Sequence, residues 1–112
     1  MASEKVIRLQ KNTFNQEVLQ NNIPVLVNFG APWCSPCKTL ESVLEKIACS
    51  FKEQLKICTL DVDQNGETAA TYDVISIPTL LLFDKGIIIG TQMGNIGENE
   101  LLAFLSNAGI EN

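Results

Sequence analysis

Histidine is absent from the 112-residue chain. Its absence removes imidazole general bases, Ser–His and Cys–His nucleophile pairs, and His-containing zinc sites. Any catalysis must run on other groups. No run of like charge occurs in either half, and 8 basic against 13 acidic residues give a formal net charge of -5. The electrostatic footprint of a nucleic-acid binder is therefore missing, and no nucleic-acid partner is expected. No apolar stretch approaches the roughly 18 residues of a membrane span. The start, Met1-Ala2-Ser3-Glu4-Lys5, lacks the apolar core of a signal peptide. No membrane association is expected, and the cytoplasm or another reducing compartment is the expected location. Internal repeats, low-complexity tracts and linkers are also missing. With 46% hydrophobic and 19% charged residues, the chain reads as one domain over residues 1–112 with enough apolar side chain for a core.

What the chain does have is four cysteines, Cys34, Cys37, Cys49 and Cys58. A structural staple closes a long loop. Joining Cys34 to Cys37 would constrain the unfolded chain by only about 2 kcal/mol. The spacing Cys-Ser-Pro-Cys suits reversible redox chemistry, or half of a metal site, better than reinforcement. A complete metal site would need further ligands, and with no histidine and no second Cys-x-x-Cys, neither a metal nor another cofactor is expected.

Periodicity divides the chain into alternating strands and helices. Val6 to Leu9 reads as a short strand. Asn12 or Thr13 caps a predicted helix through Gln20 that turns Phe14, Val18 and Leu19 inward. Val25-Leu26-Val27-Asn28-Phe29 is apolar on both faces apart from Asn28, the mark of a central strand. A helix starting at the cysteine pair carries Leu40, Val43, Leu44, Ile47, Ala48 and Phe51 as one stripe. Leu55 to Val62 is a further strand, followed by the turn Asp63-Gln64-Asn65-Gly66 and a short helix over Glu67 to Tyr72. Thr79 to Phe83 and the edge strand from Ile87 to Ile89 form a hairpin about Asp84-Lys85-Gly86. Gly90 and Gly94 suggest irregular or closely approached backbone in that last strand. A final helix, Glu98 to Asn107, buries Leu101, Leu102, Phe104 and Leu105. The order predicts an α/β domain, a central mixed sheet with helices on both faces.

Cys34 falls where a buried strand ends and a helix begins. Free backbone N–H groups and the positive end of the helix dipole favour a thiolate there, and the thiolate is the form that attacks a disulfide. Cys37 lies three residues on, on the same helical face, with β-carbons about 5 to 6 Å apart before closure. Pro36 is tolerated in the first turn, where its missing N–H has no helical partner.

Trp33-Cys34-Ser35-Pro36-Cys37-Lys38 after an apolar strand, Leu60-Asp61-Val62-Asp63, Ile77-Pro78-Thr79 with Leu80 to Phe83, and Lys85-Gly86 then Gly94 resemble the thioredoxin family in order and spacing. The resemblance covers nearly the whole chain. It implies the thioredoxin fold, a mixed five-stranded sheet flanked by four helices. It also implies a protein-disulfide reductase that acts as a monomer on disulfide-containing target proteins and is re-reduced by a thioredoxin reductase. Cys34 would be the exposed nucleophile that forms a mixed disulfide, and Cys37 the buried thiol that resolves it. The same resemblance implies a cis Ile77–Pro78 bond, target pairing through the Ile77 backbone, and a shallow docking surface of Trp33, Pro78 and Gly94.

Four positions depart from the family pattern. Asn28 stands where a buried aspartate is usual, and Thr59 where a lysine on the adjacent strand accompanies it. Loss of the anion is expected to make Cys34 more acidic, by about two pH units at most for a charge about 6 Å away at an effective dielectric near 20. An amide cannot relay the Cys37 proton as a carboxylate can, so resolution is expected to be slower or to use water. Asn28 itself reads as a hydrogen-bonded core amide. Gly30 replaces a frequent tryptophan and Ser35 a usual glycine, which leaves the redox potential and target choice open. Cys49 and Cys58 read as small core or near-surface residues, Lys38 as a solvated one, and Ile87 to Ile89 as edge-strand packing. Two other functions fit the same fold, a catalytically weak binding or chaperone module and an oxidant or isomerase.

Overall fold

Residues 6–10 and 12–112 are described by the computed structural model. The stretch Met1–Lys5, read above as lacking a leader, lies outside them. Five strands form one sheet in the order β1-β3-β2-β4-β5. They are β1 (Val6–Arg8), β2 (Val25–Gly30), β3 (Lys56–Asp61), β4 (Thr79–Asp84) and β5 (Ile87–Met93). β3 runs parallel to both β1 and β2, while β4 is antiparallel to β2 and β5. The expected mixed sheet is present.

The two central strands are buried on both faces, β2 along its whole length. Alternation by two then sends successive side chains to opposite layers. Leu26, Ile57, Leu80 and Leu82 pack under α1 (Ser35–Phe51) and α3 (Glu98–Asn107), against Leu40, Leu44, Ile47, Leu101 and Leu105. Val27, Phe29, Cys58, Leu81 and Phe83 face the other layer, with Phe14, Val18 and Ala69. Each fully buried Leu, Ile or Phe contributes about 1.5–3 kcal/mol relative to exposure. The α1 stripe matches the sequence expectation, with Val43 half-buried at its margin.

Differences from expectation are local. The first helix is a single π-type turn, Asn15–Leu19, and no side chain caps it. The Thr13 hydroxyl instead turns back to Gln10, accepting its N–H at 2.8 Å, which is the competition for backbone partners that Thr offers near a helix start. The turn is held to β3 by an ion pair between Glu17 and Lys56. α2 spans Gly66–Thr71. Lys85 and Gly86 both have positive φ, 53° and 84°, as a two-residue hairpin loop of matching twist requires. β5 is an edge strand with a register shift opposite Leu82 and Phe83. Its Ile87, Ile88 and Ile89 are exposed rather than packed. Gly90 meets the expectation of close approach, since a β-carbon there would lie 2.9 Å from the Phe104 ring.

Candidate active site

β2 ends at Gly30 in mid-sheet, and the chain turns directly into α1. Cys34 is the N-cap residue of that helix, with an extended backbone (φ -92°, ψ 105°) and a sulfur that accepts the Cys37 N–H at 3.2 Å. One of the helix's orphan donors is therefore spent on the Cys34 sulfur. Cys34 and Cys37 form a disulfide across a Cα separation of 5.3 Å. Pro36 sits in the first turn, where it costs no hydrogen bond. Ser35 and Lys38 are exposed beside the pair.

The sulfurs are less accessible than the sequence suggested. Cys34 is 6% exposed and Cys37 2%. The order of exposure is the expected one, but Cys34 is buried rather than exposed in the disulfide form. Both residues then pack with Ala31 against Val62 and Ile77. Ile77–Pro78 is a cis peptide. The Pro78 carbonyl accepts the Gly94 N–H at 2.8 Å, and Gly94 holds φ at 89°, a value natural to glycine. Trp33 is 68% exposed, and its Nε1 donates to Asp63 Oδ2 at 2.7 Å. Asp63, thirty residues away, belongs to the Leu60-Asp61-Val62-Asp63 run of the family resemblance, but nothing in the sequence paired it with Trp33. Ile75 and Met93 are further large exposed apolar residues.

The model for the family described as Thioredoxin matches residues 5–107. The chain belongs to the thioredoxin family. It is similar to a thioredoxin of Pseudomonas aeruginosa, at 40% identity over 92% of this chain and 95% of that protein. A thioredoxin of Mycobacterium bovis is 45% identical over 94% and 92% of the two chains, and one of Haemophilus influenzae 38% identical over 91% and 95%. With its Cys-x-x-Cys pair at bonding distance, this thioredoxin-family chain is a thiol–disulfide oxidoreductase. The family implies disulfide-bearing targets and a reductase partner. No described helix is long and apolar enough to cross a membrane.

Behind the disulfide lies a pocket that opens to the surface. A cavity of about 380 Å³ is lined by Asn28, Gly30, Cys37 and Thr59, with Arg8, Lys38, Glu41 and Asp61 around it. Asn28 and Thr59, adjacent in the β2–β3 register, both open onto it. The expectation of a hydrogen-bonded core amide is not met, because Asn28 is 2% exposed and its Oδ1 has no partner among the described residues. Gly30 and Thr59, which also line the cavity, give that oxygen no hydrogen bond. The remaining cysteines lie elsewhere. Cys49 is exposed, and Cys58 is buried in the opposite layer, where burial pushes its thiol up to about 12.

Proposed function

We propose that the chain reduces protein disulfides, with Cys34 as the attacking thiolate and Cys37 as the resolving thiol. One observation carries this reading: Cys34 caps α1 and its sulfur already accepts a helix N–H. The same donor and the helix dipole stabilise a sulfur anion after reduction. Attack on a target disulfide then forms a mixed disulfide at Cys34, and Cys37 displaces the target thiolate by bonding to Cys34.

Trp33, Ile77, Pro78 and Gly94 serve as the docking surface. In support, the Ile77 N–H and carbonyl have no backbone partner among the described residues, so both are available to an extended target segment. Asn28, Ser35, Pro36 and Thr59 tune the pair. Packing of all the described elements on two faces of one sheet supports a single domain, which we take to act as a monomer. Two cysteines remain unpaired, one of them exposed, which favours a reducing compartment such as the cytoplasm. A thioredoxin reductase is the electron donor in this reading.

The test is insulin reduction followed by turbidity with dithiothreitol as donor. The wild-type chain should shorten the lag and Cys34→Ser should not. Equal behaviour of the two proteins would remove the reductase and leave a binding module.

A further inference from the structure

The face of the sheet under α1 changes character at one level. Leu26, Ile57 and Val6 lie side by side across β2, β3 and β1, and two residues further on stand Asn28, Thr59 and Arg8. Two more bring Gly30 and Asp61. Alternation by two keeps all of these on one face, so the apolar layer gives way to a polar floor under the first two turns of α1. The cavity is that floor with α1 as its roof.

Cys37 is the roof group whose chemistry needs the cavity. Before it can attack the mixed disulfide its thiol must lose a proton, and at 2% exposure it has little direct contact with solvent. Asn28 is not a base, and Arg8 and Lys38 carry positive charge. Among the described residues two carboxylates line it, Glu41 and Asp61. Asp61 Oδ1 is engaged by the Asp63 N–H at 2.9 Å. Glu41 lies one helical turn after Cys37 on the same helical face, and both line the pocket. A volume of about 380 Å³ far exceeds the ~30 Å³ share of one water, so the pocket between floor and roof has room for solvent.

We propose that Glu41 accepts the Cys37 proton through water in this pocket, which both residues line. The inference rests on the disulfide exchange proposed above. In the resolving step the Cys37 thiol gives its proton to the Glu41 carboxylate. The resulting thiolate forms the Cys37–Cys34 bond as the bond from Cys34 to the target sulfur breaks. The target leaves as a thiolate, and Glu41 returns the proton to solvent.

The reduced full chain, in a Cys49→Ser background that removes the exposed free thiol, is mixed with dithiobis(nitrobenzoate) in stopped flow. One coloured thiolate is released when Cys34 attacks and a second when Cys37 resolves, so the two steps are read separately. Glu41→Gln should leave the first release unchanged and slow the second about tenfold or more. Formate, a carboxylate small enough for the cavity, should then restore the second release in proportion to its concentration while leaving the Glu41-containing parent unaffected. A second release at the parental rate would overturn the inference. So would a slowed release that formate does not restore, or a loss seen in Asp61→Asn instead. Absence of the first release in the parent would instead overturn the exchange reading itself. Melting temperatures of the variants confirm that each is folded.

Discussion

Gly30 and Cys37 meet closely because one of them has no side chain. A β-carbon on Gly30 would lie 3.1 Å from Cys37 Sγ and 3.2 Å from Cys37 Cβ. Contacts this short oblige a neighbour to move by a few tenths of an ångström. In the disulfide the sulfur is tethered and cannot yield easily, whereas a free Cys37 thiol can rotate.

Gly30→Ala should therefore destabilise the oxidised form relative to the reduced one. An overpacking penalty near the low end, about 1 kcal/mol, corresponds to a reduction potential about 20 mV less negative. Equilibration against glutathione buffers measures it. A potential that stays put or becomes more negative would mean that Cys37 relaxes at no cost.

Asn28→Asp places an anion under the cysteine pair. An added negative charge opposes thiolate formation, so the thiol titration should move to higher pH, by at most about two units. Thiolate absorbance of the reduced protein reads this directly. An absent shift would show that the cavity is hydrated well enough to screen the new charge, and a downward one would count against position 28 lying under the pair. Glu41 and Asp61 also border this space, so the new carboxylate would join two already there.

Cys58 gives a pH signature of stability. Burial raises its thiol from an ordinary 9.0 to about 12, partly offset by Lys56 and slightly reinforced by Glu17. Above the ordinary value the unfolded thiol loses its proton while the folded one keeps it. The unfolded state then binds fewer protons, and stability falls as pH rises between about 9 and 12. Denaturant midpoints at pH 8 and 10.5 should diverge less in Cys58→Ala than in wild type, even though the alanine variant starts lower. Tyr72, also pushed upward by burial, leaves a residual slope. Identical divergence in both proteins would exclude Cys58 as the source.

Local chemistry wrote much of this molecule in the sequence. Apolar runs such as Val25–Phe29, the stripe from Leu40 to Phe51 and the Lys85-Gly86 turn are short-range patterns, and a strand-to-helix junction at Trp33–Lys38 identifies a reactive cysteine by position alone. Fold class, element order and the disulfide pair were legible for that reason. The first helix was less so, because Thr13 had a backbone partner at Gln10 that periodicity does not weigh. Tertiary structure alone decided the rest. Trp33 reaches Asp63, Phe104 closes over Gly90, and Arg8, Asn28, Glu41 and Asp61 share one cavity. Those contacts depend on strand register and on which small side chains leave space, and both are properties of elements brought together from distant parts of the chain.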